Sequence, residues 1–260
     1  MCTKNNPCDI FILRKFKGLH SEENILDKQK ILVIIPAYNE EKSIEEVISK
    51  IQLHAAVDIV VVNDGSRDAT ARKALEKGVR VITLPFNLGI GGAMQTGYRF
   101  AKDNGYDVAI QVDADGQHDP GFIKLLVDKL SEGDYDMVIG SRYVEETAYK
   151  SSLSRRMGMI FFSWLVFILT GWKVKDTTSG FRAVNRKVIE YFADSYPTDY
   201  PEVDVLVRLH KKKFKLCEVP VEMLERQGGK SSITPFKSVY YMIKVSLALL
   251  INSMRSGERS

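Results

Sequence analysis

Five short apolar runs, most of them followed by a turn and then a helical repeat of apolar positions, restrict this chain to a layered α/β fold. The runs lie at residues 31–35 (Ile-Leu-Val-Ile-Ile), 59–62, 79–84, 108–112 and 137–140. The first is continuous and without polar alternation, as expected of a central strand covered on both faces. After the first, Ile44, Val47, Ile48 and Ile51 recur at helical spacing. After the second, residues 69–77 read as a helix stopped by Gly78, and after the third a helix spans 89–104 with a glycine-rich start. Strands separated by helices predict a mostly parallel central sheet with right-handed crossovers and helices on both faces. At 260 residues and 45% hydrophobic content the chain can supply a core for such a domain.

In an open α/β sheet, ligands bind beyond the carboxyl ends of the strands. The residues just past each run are therefore the candidates. They are Tyr38 and Glu40 after the first, Asp64 after the second, Asn87 after the third, Asp113, Asp115 and Gln117 after the fourth, and Ser141 and Arg142 after the fifth. Acidic groups thus gather on one edge beside an arginine, a composition suited to a metal and a diphosphate.

The fourth run carries the most chemistry. If the extended conformation continues to Asp115, Asp113 and Asp115 face the same way, because alternate side chains of a strand share a face. Two carboxylates held together favour a cation between them, and magnesium or manganese, bound by one or two carboxylates plus substrate phosphates, fits these donors. Taken alone, Asp-x-Asp in a glycine-containing turn fits solvated or capping carboxylates better than metal ligands, so the surrounding chain must carry the case. Beyond it, Asp119 is placed to cap and Pro120 to open a helix with Phe122, Ile123, Leu126 and Leu130 on one face. The glycines of residues 89–97 do not make a dinucleotide fingerprint, since they follow the third strand and no acidic residue closes the next strand at the required spacing. The complete Gly-x-x-x-x-Gly-Lys-Ser/Thr phosphate-loop signature is also missing, since Gly229-Lys230-Ser231 has Leu224 where the first glycine belongs. Close packing of a helix on the sheet or near a substrate accounts for these glycines.

Six segments taken together carry a resemblance: Pro36-Ala37-Tyr38-Asn39-Glu40, Asn63-Asp64-Gly65-Ser66, Asn87-Leu88-Gly89, Asp113-Ala114-Asp115-Gly116-Gln117-His118, Gly140-Ser141-Arg142 and Ser179-Gly180-Phe181-Arg182. In this order the chain resembles glycosyltransferase family 2 from about residue 31 to 226. Within that family it is most similar to the branch of dolichyl-phosphate mannose synthase and bacterial polyprenyl-phosphate sugar synthases. The resemblance implies a nucleotide-diphospho-sugar transferase (GT-A type) fold in which Pro36, Ala37, Tyr38, Glu40 and Asp64 hold the base and ribose of a nucleotide-sugar donor. It further implies that Asp113, Asp115 and Gln117 lie at the metal and the donor diphosphate, Arg142 near the donor or acceptor phosphates, and Ser179, Gly180 and Arg182 on the acceptor side. The family's usual Asp-Leu-Gln is here Asp115-Gly116-Gln117, which removes an apolar contact and keeps both presumed ligands. Inversion at the anomeric carbon is implied by the family alone.

The second half of the chain differs in charge. Residues 1–149 carry 18 Lys and Arg against 23 Asp and Glu, whereas residues 150–260 carry 19 against 10. A nucleic acid, an anionic membrane or a phosphorylated substrate would each suit that excess, as would a solvated surface. Nucleic acid is disfavoured, because no recognition motif or interleaved basic and aromatic platform accompanies the charge. Arg155 and Arg156 precede an almost wholly apolar stretch at 159–169, and a second such stretch at 235–254 is interrupted by Lys244. Each is too short or too interrupted for the ~20 residues of a membrane span. They fit buried core helices or helices lying in a bilayer interface, and two with basic flanks favour peripheral membrane contact. A small membrane protein partner would supply the anchor such a chain lacks. Between the stretches, Glu202 and Asp204 open a helix; the family resemblance offers either as a base toward a sugar hydroxyl, while helix-start carboxylates also simply suit the helix dipole. Arg226-Gln227-Gly228-Gly229-Lys230-Ser231-Ser232 has the glycines, charge and hydroxyls of a phosphate-gripping loop, with Arg226 and Lys230 as its cations, or of a solvated linker.

Cys2, Cys8 and Cys217 are odd in number and lack metal-ligand spacing, which favours a reducing compartment. Residues 1–30 lack a signal-peptide pattern and read as an extension. The expected organisation is therefore an extension at 1–30, a catalytic domain at 31–234 and an amphipathic helix with its tail at 235–260. The expected activity is metal-dependent hexosyl transfer to a polyprenyl phosphate such as undecaprenyl phosphate, or to a sugar hydroxyl of a lipid-linked glycan, at the inner face of the cell membrane, for cell-surface polysaccharide. A sheet that survives as a catalytically silent interaction module is the rival outside enzymology.

Overall fold

The structure, a computed structural model, describes residues 29–144, 153–198, 201–224 and 244. Seven strands form one sheet among these residues: β1 (Ile31–Ala37), β2 (Asp58–Asn63), β3 (Arg80–Thr83), β4 (Val108–Gln111), β5 (Met137–Ser141), β6 (Arg182–Asn185) and β7 (Leu216–Pro220). Their order is β3-β2-β1-β4-β6-β5-β7. β1 pairs in parallel with β2 and β4, β2 with β3, and β5 with β7, while β6 runs antiparallel to both β4 and β5. The five strands expected from the apolar runs are all present. β6 and β7 are additions, since neither is a continuous apolar run: β6 reads Arg-Ala-Val-Asn, and β7 carries Glu218 between buried Cys217 and Val219.

Seven α-helices flank the sheet among the described residues of 29–224: α1 (Ile44–His54), α2 (Thr70–Glu76), α3 (Gly89–Asp103), α4 (Ile123–Ser131), α5 (Leu153–Thr170), α6 (Arg186–Asp194) and α7 (Pro201–Lys211). β1 shows why a continuous apolar strand is required. Ile31, Val33 and Ile35 pack into the core shared with α1 and α4, and Leu32 and Ile34 into the core shared with α3, α6 and α7. Every residue of β1 is buried. The second core is closed by aromatic rings: Tyr98 of α3 lies 5.0 Å from Phe192 of α6, and Tyr196 stands edge-on to Phe192 at 4.9 Å.

Glycines let α3 approach the sheet. A Cβ at Gly97 would fall 2.3 Å from the Cγ2 of buried Ile34, and one at Gly91 would fall 2.3 Å from the carbonyl oxygen of Pro197. Gly97→Ala is therefore expected to lower unfolding free energy by about 1–3 kcal/mol, the usual cost of overpacking. Urea unfolding checks this, and a midpoint equal to that of the wild type would show that α3 has slack the packing does not reveal.

The turn after β4 follows the expected helix start closely. Asp119 accepts a hydrogen bond from the Gly121 N–H at 2.9 Å, Pro120 opens a single 3₁₀ turn, and α4 continues from Ile123 with Ile123, Leu126, Val127 and Leu130 buried. α5 has two faces. Met159, Phe162, Leu165 and Val166 are buried, whereas Met157, Ile160, Trp164, Phe167 and Ile168 form an exposed apolar stripe. It is a core helix on one side, as one reading of the 159–169 stretch expects, and a solvent-facing apolar surface on the other. No helix among the described residues is long and apolar enough to cross a membrane. Residues 1–28, the loop with Arg226 and Lys230, and the 235–254 stretch apart from Lys244 lie outside the described residues, as do the side chains of Arg155 and Arg156.

Candidate active site

Two turns at the carboxyl ends of β1 and β2 build one flank of the site. Asn39, in the left-handed region at φ 56°, closes the turn after β1. Its backbone N–H donates to Ser66 Oγ at 2.9 Å, its side-chain oxygen accepts from the Arg67 N–H at 2.9 Å, and the Glu40 N–H donates to Thr70 Oγ1 at 2.8 Å. Tyr38 is left exposed on this turn, while Pro36 and Ala37 are still part of β1. Asp64 is buried, and its two oxygens accept the N–H groups of Leu88 at 2.7 Å and Gly89 at 2.9 Å, so this carboxylate holds the start of α3. That structural duty was not legible beside the donor-binding role implied for Asp64.

The central element is the turn after β4. The strand ends at Gln111, and Ala114 and Asp115 form a turn with Gly116 at φ 76°, so the expected continuation of the strand to Asp115 does not occur. The alternation survives in another form. Ala114, Gly116 and His118 are buried, whereas Asp113, Asp115 and Gln117 are each partly accessible. Asp115 accepts the Gln117 N–H at 3.1 Å, which tightens the turn. Asp113 is held from three sides: Gln111 Nε2 donates to its Oδ1 at 3.1 Å, its own N–H donates to His118 Nδ1 at 3.0 Å, and His118 Nε2 lies 3.5 Å from its Oδ2. Because Nδ1 accepts, the neutral imidazole carries its proton on Nε2, toward the carboxylate. The ring stacks on Phe181 with centroids 5.0 Å apart, and the Leu224 N–H donates to the Gln117 carbonyl at 2.9 Å, pinning the far side of the turn.

The antiparallel strand β6 completes the edge. Because Arg182 of β6 registers with Gln111 of β4 and with Ile139 of β5, the segment before it arrives where β4 and β5 end. Gly180 sits against Asp113, and a Cβ there would lie 2.8 Å from Asp113 Oδ2. Ser179 Oγ donates to the Gly140 carbonyl at 2.6 Å, and the Gly140 N–H donates to the Phe181 carbonyl at 2.8 Å. Arg142 follows at once. Its Nε and Nη2 form a two-pronged pair with Asp176 at 2.7 Å each, and its own N–H donates to the same carboxylate at 3.1 Å.

Arg182 and the two helix-start carboxylates have different surroundings. Arg182 is buried, and its guanidinium donates to the carbonyls of Ser179, Thr177 and Glu202. So placed, it ties the 177–179 segment to the start of α7 from within the protein. Asp204 is buried and paired with Arg208 at 2.8 Å, and Arg208 in turn reaches Ser195. Glu202 belongs with the site instead: burial pushes its carboxyl above the ordinary range, with the charge of Asp113 adding and Arg182 opposing. A proton held more tightly in the folded state makes stability fall as pH rises from the ordinary 4.5 through the raised folded value. Glu202→Gln is therefore expected to flatten that decline, so that urea unfolding at pH 4, 5.5 and 7 shows the variant gaining on the wild type with rising pH. Parallel profiles would place Glu202 in a more solvated setting.

The donor set suits a hard divalent cation that completes its shell elsewhere. Asp113 and Asp115 offer carboxylate oxygens and Gln117 a carbonyl, and among the described residues no group of three or more His, Cys, Asp or Glu is gathered to hold a metal unaided. The buried Asp176 and the half-buried Glu218, two ionisable groups at this edge, were missed from sequence. Their signals were slight: an aspartate three residues before Ser179, and the one charge in a short strand.

Comparison with known proteins matches the description Glycosyl transferase family 2 over residues 32–192. A UDP-N-acetylglucosamine–dolichyl-phosphate N-acetylglucosaminyltransferase of Methanococcus voltae is 30% identical over 246 residues, spanning 85% of this chain and 98% of that protein. The polyprenol monophosphomannose synthase of Mycolicibacterium smegmatis is 32% identical over 232 residues, spanning 84% and 86%. In fold, the chain is similar to a crystal structure of glucosyl-3-phosphoglycerate synthase from Mycobacterium tuberculosis in complex with Mn2+, UDP and glucosyl-3-phosphoglycerate, with a TM-score of 0.67, 21% identity and coverage of 87% and 80%. With a GT-A sheet, an edge of paired carboxylates and relatives of this kind, the chain belongs to glycosyltransferase family 2, in the branch of dolichyl- and polyprenyl-phosphate sugar synthases.

Proposed function

We propose that this protein transfers a hexosyl group from a nucleotide-diphospho-sugar to a polyprenyl phosphate, working as a peripheral protein at the inner face of a membrane. One observation carries the reading. The edge that gathers Asp113, Asp115 and Arg142 is joined to α5, the helix whose outer side carries the exposed apolar stripe, because the half-buried Ser163 Oγ donates to the Lys175 carbonyl at 3.4 Å, next to the Asp176 that grips Arg142. A polar site for a diphosphate beside an apolar surface suits an acceptor with a charged head and a hydrocarbon tail. The names of the relatives from M. voltae and M. smegmatis support the same acceptor class.

In this reading Tyr38 and Glu40 lie where the nucleoside binds. Asp113, Asp115 and Gln117 hold magnesium or manganese, in line with the Mn2+ complex of the fold neighbour. When bound, such a cation supplies charge stabilisation for the departing diphosphate. Arg142 adds a fixed positive charge whose effect grows as the bond to the leaving group lengthens. A phosphate acceptor is already anionic near neutral pH and needs no strong base, so Asp204 is left to its pair with Arg208. A single displacement of this kind inverts the anomeric carbon.

A second reading, transfer to a sugar hydroxyl of a lipid-linked glycan, is favoured by Glu202, whose raised proton affinity suits a base. One assay separates the two. Radiolabelled UDP-glucose, UDP-N-acetylglucosamine and GDP-mannose are each offered with undecaprenyl phosphate in detergent, with magnesium or manganese. Metal-dependent label in the lipid phase is expected, and it should survive Glu202→Gln. Label only when a lipid-linked sugar replaces the lipid phosphate, and lost in Glu202→Gln, establishes the second reading.

A further inference from the structure

The loop before β6 is locked to the end of β5 by more than the arginine pair. Glu218 of β7 accepts the backbone N–H of Lys175 at 2.7 Å and of Asp176 at 2.8 Å. Asp176, fully buried, then takes the N–H, Nε and Nη2 of Arg142, and Nη2 also reaches Thr178 Oγ1 at 3.0 Å. The carboxylate that Arg142 grips is thus joined, through the 175–176 backbone, to a second carboxylate from a different part of the chain.

The core does not need Glu218, since a strand between Cys217 and Val219 would accept an apolar residue at position 218. Asp176 gives the largely buried Arg142 its counter-charge, but a single contact would do that, and here three donors of one residue converge on it. Burial raises the proton affinity of Glu218, so keeping it there opposes its own ionisation. The cost is understandable if the geometry of the arginine matters, since a planar guanidinium held by a two-pronged pair has its rotation about the last side-chain bonds removed.

We propose that Asp176 and Glu218 are positioning residues that fix the guanidinium of Arg142 in one orientation, Asp176 by direct pairing and Glu218 by clamping the backbone that carries Asp176. The proposal rests on the reading of Arg142 as a phosphate-side arginine. It assigns no direct contact with substrate to either carboxylate. Rotation of Arg142 is lost before the substrate arrives, and the chemical step benefits more than binding does.

The test is a double-mutant cycle on transfer to undecaprenyl phosphate, with the labelled donors above, for Arg142→Ala, Asp176→Asn and their combination, with Glu218→Gln as a milder variant should Asp176→Asn fold poorly. Asp176→Asn is expected to lower kcat by about 10–100-fold with donor KM within about threefold, and to cost nothing further in the Arg142→Ala background. Glu218→Gln should act in the same direction and more weakly. Independent, multiplying effects, or a wild-type kcat in Asp176→Asn beside a slow Arg142→Ala, overturn the proposal. A full rate in Arg142→Ala overturns the reading of that arginine and the proposal with it. A second readout needs no turnover: the arginine Nε–H resonances in a ¹H–¹⁵N spectrum. Arg142, assigned by its loss in Arg142→Lys, should exchange slowly in the wild type and fast in Asp176→Asn and Glu218→Gln. If no donor labels any lipid, the functional reading fails, and slow exchange that persists in both variants overturns the positioning claim separately.

Discussion

Asp115→Ala is expected to reduce sugar transfer by about 10²–10³-fold, the scale on which removal of one group that stabilises developing charge is felt. The reason is positional. Asp115 lies on the accessible side of the turn after β4, with Asp113 and Gln117 on the same side and Ala114, Gly116 and His118 turned inward. The hydrophobic core does not include it, and the Gln117 N–H bond it accepts at 3.1 Å is a local turn contact worth about 1 kcal/mol. The variant should therefore melt close to the wild type while losing both rate and response to manganese. Chelation of the wild type should produce the same loss. Transfer within tenfold of the wild type in Asp115→Ala would remove this carboxylate from the chemistry and leave Asp113 to hold the cation with groups from elsewhere.

Gly180→Ala should be nearly as damaging without altering any chemical group of the site. Its Cβ would stand 2.8 Å from Asp113 Oδ2, 2.9 Å from Gln111 Nε2 and 3.0 Å from Asp113 Oδ1. All of these distances are too short for carbon, so Asp113 and the Gln111 that orients it must move. Phe181, fully buried beside it, and the bonds between the 179–181 segment and Gly140 restrain the backbone from yielding instead. Displacement of a ligand by a few tenths of an ångström to one ångström is expected to cost about 10²-fold in rate. Gly158→Ala is the control, because a Cβ there meets nothing within 4 Å, and helix α5 should gain about 0.5–1 kcal/mol from it. Metal titration and transfer rates on the two variants check the contrast. If Gly180→Ala transfers at the wild-type rate, the Asp113 carboxylate has room that the packing does not show.

Much of the fold was legible because burial on two faces leaves a plain mark. β1 had to be apolar throughout, and β2 and β4 at all but their ends, to sit between two layers, and the capping of the helix start by Asp119 and Pro120 is a local affair of four residues. β6 and β7 left no such mark. β6 is four residues long, and its first, Arg182, is buried by donating to three carbonyls rather than by being apolar. Glutamate in β7 likewise reads as solvent-facing until the backbone N–H groups of residues 175 and 176 come to meet it.

The site divides in the same way. Sequence by itself determined which residues stand at the carboxyl ends of the parallel strands, because a strand and its following turn are contiguous in the chain and the parallel order fixes one common edge. That was enough to bring Tyr38, Glu40, Asp64, Asp113, Asp115 and Arg142 to one side. Tertiary structure alone decided what surrounds them. Running β6 antiparallel between β4 and β5 delivers Gly180 to Asp113 and Asp176 to Arg142, across 67 and 34 positions of chain, and it brings Arg182 to the Glu202 carbonyl. Such contacts depend on strand direction and on which buried charges find partners, and no local pattern of residues records either of these.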